Sequence, residues 1–319
     1  MHRRTLAALL AAPAIAQAQA WPGGRPVRII VPWTPGQATD IVARLFADGL
    51  GPRIGTNFVI ENRAGAGGAI GTDAVAKAAP DGFTLLGASS GPVSINPLVQ
   101  RMPYDVERDL TAVALGGMAP FVLVSHPNFP AQTITEFVAR LRAQPGRFTF
   151  ASSGTGATAH LITEFFNSVA GAQAVHVPFQ GSAPALTAIL GGQVDYTMET
   201  AATTMPHVRA GRLRAYGVSL RNDTPLAEGV VPIARSLNAP EFDIGAWIGL
   251  MAPAATPPAI IERLSAASLE WLAEPTTRER FTSAGLQMQP MGAVEMNRFL
   301  RDQRAVYENV VRRANLSAG

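Results

Sequence analysis

The N-terminal third of the chain alternates predicted strands with stripes of apolar residues at helical spacing. A strand is predicted at 28–31, followed by a polar turn and then by apolar positions on one helical face. Further strands are predicted at 58–60 and 83–86, separated by a helix around 70–79 that Pro80-Asp81-Gly82 ends. This β-α-β order predicts a parallel sheet with right-handed crossovers.

The stretch at 148–195 contains this unit twice in succession. In the first copy an apolar run breaks into a turn at 152–156 before a helical stripe, and in the second a turn at 178–182 leads into another helix. The first N–H groups of a helix lack intrahelical partners and lie at the positive end of its dipole, so each turn predicts a place for a carboxylate or phosphate. The alternative is that the Ser and Thr residues of these turns cap their own helices.

The order of elements also predicts how the chain is divided. About 300 residues follow the N-terminal segment, which is more than a single domain usually holds. The chain crosses over near 110–124 and returns near 243–253, before a helical C-terminal segment. We predict a first lobe formed by 21–122 with 246–319 and an inserted second lobe at 123–245. The predicted fold class is therefore α/β, with two lobes, parallel-rich sheets flanked by helices, and two hinge crossings.

Residues 1–20 have the features of a secretory signal peptide. Arg3-Arg4 precede an apolar run at 6–15, and the alanines at 16–20 offer small-x-small cleavage sites. The flanks of the arginine pair match the twin-arginine pattern only in part, so we favour the general secretory route. No other apolar run approaches the roughly 18 residues that span a bilayer, so we expect an exported, soluble mature chain without a membrane anchor.

The composition excludes several classes of function. Cysteine is absent, which rules out disulfides, thiol catalysis, zinc-thiolate sites and a lipidated N-terminal cysteine. Of 26 basic and 23 acidic residues, two arginines fall in the predicted signal peptide, which leaves 24 against 23 and gives nucleic-acid binding no electrostatic support. No metal-ligand spacing relates the histidines of the predicted mature chain, which are His126, His160, His176 and His207.

A glycine-rich run at 65–71 superficially resembles a dinucleotide-binding fingerprint. Its spacing after the preceding strand is wrong for that motif, so we interpret it as a tight turn with close helix packing. The interpretation of this run as a turn, together with the lack of metal-ligand spacing among the histidines, leads us to predict no metal and no cofactor.

Five motifs in a fixed order resemble those of one family. They are Pro35-Gly36 with Thr39-Asp40, and then ENRAGAGGAIGTDAVAKAAPDGFTLL, ASSGPVSINP, SSGTGATAHL and VHVPFQGSAPALTAILGGQVD, which begin at residues 61, 88, 152 and 175. From about Trp21 to its C-terminus, the chain resembles the periplasmic solute receptors of tripartite tricarboxylate transporters, often called Bug receptors. It departs from the family pattern at Gln37, where a second glycine is usual, and at Glu199, where aspartate is frequent.

The resemblance implies a type II periplasmic binding fold. Such a receptor captures a small carboxylate-bearing metabolite between its lobes and delivers it to the membrane permease subunits of a tripartite tricarboxylate-type transporter. We expect a periplasmic monomer. Because ligands of open parallel sheets lie beyond the carboxyl ends of the strands, we expect the turns there to bind the ligand. In the first lobe these residues are Trp33, Thr34, Gly36, Gln37, Ala38, Thr39, Asp40, Ser89 and Ser90; in the second they are Ser152, Ser153, Thr155, Gly156, Thr158, His160, Phe179, Gln180, Gly181, Ser182, Ala183 and Glu199.

The composition of these turns predicts how the ligand is held. None contains Arg or Lys, so we expect backbone amides, hydroxyl groups and bridging water to bind the carboxylate. Asp40 would repel a nearby carboxylate, so we expect it to cap its own helix or to meet a ligand ammonium group. We expect His160 to pack or to line the cleft. Gln37 narrows the pocket and Glu199 reaches further into it, which predicts weak binding of larger tricarboxylates.

The class of ligand stays open between amino acids, dicarboxylates, aromatic acids and amides, and two other functions are alternatives. The same cleft would serve a receptor that signals to a sensor kinase. A periplasmic hydrolase would use Ser152 or Ser153 with His160 and an acidic residue of the same lobe. Neither serine lies in a Gly-x-Ser-x-Gly elbow, so we do not expect an enzyme.

Overall fold

The computed structural model describes residues 21–313, and the predicted signal peptide at 1–20 lies outside them. The strands are β1 Val27–Val31, β2 Phe58–Asn62, β3 Thr84–Ser89, β4 Leu110–Ala119, β5 Phe121–Ser125, β6 Thr149–Ser152, β7 Val175–Pro178, β8 Tyr196–Thr200, β9 Arg214–Val218, β10 Ala246–Pro253 and β11 Gln287–Gly292. The α-helices are α1 Ala38–Ile54, α2 Ala69–Ala76, α3 Asn96–Val99, α4 Val106–Asp109, α5 Ile134–Ala143, α6 Thr158–Ala170, α7 Ser182–Leu190, α8 Ala201–Arg209, α9 Ile233–Ser236, α10 Pro258–Leu272, α11 Pro275–Ser283 and α12 Ala293–Arg313. No helix within 21–313 is both long and apolar enough to cross a membrane.

These elements form two sheets, each covered by helices. The first has the strand order β11-β4-β10-β3-β1-β2, and the second has the order β7-β6-β8-β5-β9. In the first sheet β1 runs parallel to β2 and β3, as the β-α-β pattern predicts. In the second, β6 runs parallel to β7 and β8. The predicted two-lobed α/β fold class is confirmed.

One predicted boundary differs from the structure. The third strand was expected at 83–86, but β3 continues to Ser89 because Ile248 of the antiparallel neighbour β10 pairs with that residue. Ser89 is therefore the last residue of a strand and not part of the turn that follows. The next residues, Gly91–Ile95, form one turn of π-helix.

The chain passes between the sheets at two places that are hydrogen-bonded to each other. Strands β4 and β5 are separated by Pro120 alone, and the return connection runs from the end of β9 to the start of β10. The fully buried Ser219 joins the two connections. Its hydroxyl accepts from the Phe121 N–H at 2.9 Å, its own N–H donates to the Phe121 carbonyl at 2.8 Å, and its carbonyl accepts from the Ile244 N–H at 3.1 Å.

The helices that pack on the first sheet share an aromatic core. The Trp271 ring of α10 lies 5.0 Å from the Phe46 ring of α1 and 5.9 Å from the Phe281 ring of α11, measured between centroids. A Cβ atom at Gly49 would lie 2.4 Å from the Trp271 ring, so only glycine permits this approach of α1 to α10. Trp271 thus joins three helices of the first lobe.

The C-terminal helix α12 packs on both lobes. Its N-terminal part lies against β4 and β11, where Phe299 contacts the buried Trp247 at a centroid distance of 6.5 Å. Its later turns place Tyr307 and Val310 in the apolar cluster that includes Phe166 under the second sheet. The predicted lobe limits stay a prediction, because this helix belongs by packing to both lobes.

We expect Trp271→Ala to lower the free energy of unfolding by about 3–5 kcal/mol, because it leaves a cavity between three helices. Leu269→Ala, on the same helix, is the matched control: its side chain is 39% exposed. That change should shift stability by no more than about 0.5 kcal/mol. Urea denaturation of both variants measures the difference, and similar losses in the two would show that Trp271 does not hold this core together.

Candidate functional site

A cleft of about 1240 Å³ lies between the lobes at the carboxyl ends of the parallel strands. Its wall includes predicted residues from both lobes: Trp33, Gln37, Ala38, Thr39, Ser89, Ser90, Ser153, Thr155, Gly156, Thr158, Gly181, Ser182 and Glu199. The other predicted residues lie outside that wall, namely Thr34, Gly36, Asp40, Ser152, His160, Phe179, Gln180 and Ala183. Ligand contact by any of them stays a prediction.

Several helices begin at this wall without a side-chain cap, among them α2, which has Gly68 at its N-cap. Helices α1, α6, α7 and α8 have Gln37, Ala157, Gly181 and Thr200 at their N-caps, and none of these side chains accepts a hydrogen bond from the first turn. Away from the cleft, Asp105 caps α4 and Thr133 caps α5, whereas α9, α10 and α11 also begin without a side-chain cap. The starts of α1, α6 and α7 therefore present N–H groups and positive dipole ends to one space. At α8 the Thr200 N–H donates to Glu199 and the Ala201 N–H donates to the Pro120 carbonyl. The alternative that Ser and Thr cap these helices is wrong.

Asp40 points away from the cleft. Its carboxylate accepts hydrogen bonds from the Gly36 N–H at 2.9 Å, from the Arg44 guanidinium at 3.0 Å and from the Asn62 amide at 2.9 Å. Burial alone raises the pKa of Asp40, but hydrogen bonds from Arg44, Gly36 and Asn62 outweigh it and hold that pKa below its ordinary value. Asp40 was expected to cap its own helix, but its carboxylate instead accepts from the Gly36 N–H in the turn before the helix. Asp40 fixes the position of that turn and is saturated by groups of its own lobe.

Two stacked histidines support the turn at 152–156 from behind. The rings of His160 and His176 lie 3.7 Å apart at an angle of 10°. The Nδ1 atom of His160 accepts from the Gly156 N–H at 3.1 Å, and Nε2 of His176 lies 2.7 Å from the Ser152 hydroxyl. Gly154 and Gly156 have φ angles of 136° and 75°, which favour glycine. His160 is thus a buried packing residue that shapes the turn without lining the cleft.

Both rings are held in the neutral form. Burial, with a smaller effect of the neighbouring His176, lowers the pKa of His160 from 6.5 to about 4, and burial also lowers the pKa of His176. A proton on either ring would place a charge in the stack, and a proton on Nδ1 of His160 would also remove the acceptor that holds Gly156.

The geometry does not assemble the hydrolase alternative. Ser152 is fully buried and its hydroxyl bonds to the Gly154 carbonyl, while no described hydrogen bond joins Ser153 to a histidine. A Gly-x-Ser-x-Gly pattern does occur at 87–91, around Ser89. The Ser89 hydroxyl, however, accepts from the Trp33 indole at 3.0 Å, so that pair serves to hold the floor of the cleft.

Sequence reasoning missed part of the wall. One missed segment, at 99–103, begins at the last residue of the short helix α3 and contributes the cation Arg101. The glycine run at 65–71 also reaches the wall, where the Asn96 amide donates to the Gly67 carbonyl at 2.8 Å. Its predicted close packing is observed, since a Cβ at Gly71 would lie 2.7 Å from the backbone of Pro32. The motif ASSGPVSINP contains Asn96, but nothing in the sequence pointed to Arg101.

Two α/β sheets joined by two crossings, with a cleft lined from both sides, define the class of two-lobed periplasmic binding proteins. Within that class, residues 42–316 match the family described as tripartite tricarboxylate transporter family receptor. The chain belongs to this family, and the resemblance seen in its motifs is confirmed.

Similar proteins agree with this placement. The chain is 38% identical over 290 residues to Protein BugT of Bordetella pertussis, with 90% of this chain and 89% of that protein covered. An adipate-bound protein of R. palustris has a TM-score of 0.78 and 30% identity, covering 93% of this chain and 99% of its own. The malate-bound MatC of Rhodopseudomonas palustris has a TM-score of 0.72 and 32% identity, with coverages of 90% and 98%. In each comparison the matched region includes nearly the whole length of both proteins, so the similarity includes both lobes.

Acid should destabilise the protein through His160. In the unfolded chain His160 takes up a proton near pH 6.5, whereas in the folded chain it does so only near pH 4. The stability that is present above pH 6.5 is therefore lost as the pH falls towards 4. Between pH 7.5 and 4.5 this loss should be roughly 2–3 kcal/mol. Urea denaturation at both pH values should show that His160→Gln loses less stability on acidification than the wild type by about this amount. Equal acid sensitivity in the two proteins would contradict the neutral, buried state of this ring.

Proposed function

We propose that this protein is a periplasmic solute-binding receptor that captures a small carboxylate-bearing metabolite in the cleft. It then delivers this ligand to the permease subunits of a tripartite tricarboxylate-type transporter. The observation that carries the proposal is that α1, α6 and α7 begin at one wall without side-chain caps. Such starts bind anions through backbone N–H groups. The adipate and malate bound by two similar proteins support a carboxylate as that anion.

The ligand is held by both lobes. The start of α1 belongs to the first lobe and the starts of α6 and α7 belong to the second, and all three line the cleft. We divide the lobes at 21–122 with 246–319 and at 123–245; the chain leaves the first sheet at Pro120, two residues before the first limit, and re-enters it at Ala246. Contacts that exist only when both lobes reach the ligand favour the closed state.

Several finer assignments belong to the same proposal. The protein is exported through a cleaved signal peptide at 1–20, acts as a monomer, and uses no metal, cofactor or catalytic residue. Membership of a transporter receptor family favours transport over signalling to a sensor kinase. The buried, hydrogen-bonded state of Ser152 favours binding over hydrolysis.

Small carboxylates should bind and a large tricarboxylate should not. We expect a Kd near the micromolar range, or about 8 kcal/mol, for at least one small acid in a set of malate, adipate, benzoate and glutamate. Citrate should bind at least about tenfold more weakly, since Gln37 and Glu199 both line the cleft and Glu199 brings a further acidic group. Isothermal titration calorimetry measures each affinity. Tight citrate binding would refute the size limit, and no binding by any carboxylate would refute the function.

Ser153→Asp should separate binding from folding. Ser153 lines the cleft just before α6, so a fixed carboxylate there occupies the region of the ligand's own charge, and affinity should fall by a hundredfold or more, about 3 kcal/mol. The same charge near a helix start should leave stability unchanged or raise it by about 0.3–1 kcal/mol. Ser153→Asn, which matches the shape without the charge, should bind far better than Ser153→Asp. Equal affinities in the two variants and the wild type would remove this turn from the site.

A further inference from the structure

Glu199 is a buried acid at the point where two uncapped helices begin. It is the fourth residue of β8, is 6% exposed, and lines the cleft. Helix α7 begins at Ser182 and α8 begins just after Thr200, and both of these residues line the same wall. An anion attracted to these two helix starts therefore meets the carboxyl group of Glu199.

No cation compensates this acid. Its Oε1 atom accepts from the Thr200 N–H at 2.8 Å, and no ion pair to it is found within 21–313. Burial raises the pKa of Glu199, while the Thr200 amide and the Ser182 hydroxyl pull it down by less. Burial thus makes this carboxyl group easier to protonate than an exposed glutamate, while its hydrogen bonds at the start of α8 act in the opposite direction.

The groups around Glu199 are uncharged. On the paired strand β5 its partner is Val122, on α7 the nearest wall residue is Ser182, and on α8 it is Thr203. The other charged residues of the cleft wall are Asp73 and Arg101, which the first lobe supplies. In the second lobe, His160 and His176 support the turn at 152–156 and are neutral, because burial lowers the pKa of each.

Two ionised carboxylates that share a buried site repel each other, whereas a pair that shares one proton forms a short, strong hydrogen bond. We infer that Glu199 is a specificity-determining residue that takes up a proton on ligand binding and donates it in a hydrogen bond to the carboxylate of the ligand. This inference rests on the proposed function. Binding is then linked to the uptake of a proton, and the receptor selects a carboxylate over a neutral analogue partly through that proton.

The linkage is measured by calorimetry with adipate and malate between about pH 6.5 and 8.5, where both acids are fully ionised. Titrations in two buffers of different ionisation enthalpy give the number of protons taken up. We expect uptake approaching one proton per ligand, and an affinity that falls by up to tenfold per pH unit above the free-state pKa of Glu199.

Two variants sharpen the test. Glu199→Gln carries a permanent donor without a titrating proton, so it should bind with no proton uptake and little pH dependence, and more tightly than the wild type at pH 8.5. Glu164→Gln is the control, because burial also raises the pKa of Glu164 but this residue lies outside the cleft wall. It should keep the proton uptake of the wild type. Melting curves establish that both variants fold.

The outcomes separate the inference from the proposed function. Carboxylate binding by the wild type without proton uptake would overturn the inference and leave the function intact. A loss of tenfold or more in Glu199→Gln at every pH would also overturn it, and would instead indicate an ionised Glu199 that accepts from a ligand ammonium or hydroxyl group. Failure of adipate, malate and every other small carboxylate to bind would overturn both.

Discussion

The cleft depends on backbone N–H groups that the chain itself leaves without acceptors. In a sheet with parallel strands, each following helix begins at the same edge, so α1, α6 and α7 start facing one space. Elsewhere in the chain, Asp105 and Thr133 satisfy the first turns of their helices. At the starts of α1, α6 and α7 no side chain of the cap residue takes this role, so an anion or water can do so. Asp40, the stacked histidines and the Trp33–Ser89 pair then serve to hold those starts in place.

The fold was largely predictable because the spacing of apolar residues along the chain shows which face of each strand or helix is buried. The β-α-β order at the N-terminus and its repetition at 148–195 both appear in the structure. Apolar runs mark the strands and apolar stripes mark the helices, and these are the same faces that become buried when the helices pack on the sheets. The packing of α12 was not predictable. Its apolar stripe indicates a helix with one buried face, but only the tertiary structure determines that Phe299 and Tyr307 meet different lobes.

The candidate site was predictable at the level of turns but not of side chains. Sequence identifies the segments that follow strands, whereas the direction of each side chain depends on partners that are distant in sequence. Asp40 turns towards Asn62, and Ser152 turns towards His176, so both lie behind the wall that their turns form. Arg101 reaches the cleft from a segment with no glycine turn or strand end, where local pattern carries no signal.

Ser219 has a mechanical consequence. Because this one buried residue is hydrogen-bonded to Phe121, the first residue after the Pro120 crossing, and to Ile244 in the returning connection, the two crossings lie side by side as a ribbon. Two hydrogen-bonded segments of this kind resist sliding and twisting relative to each other, and they bend most easily together, out of the plane that contains both. Together with helix α12, which packs on both lobes, the two connections limit how the lobes can move relative to each other, so that occupancy of the cleft is expressed in the angle between them. Under the proposed transport function, a membrane partner that touches both lobes would distinguish a loaded receptor from an empty one without reaching the ligand.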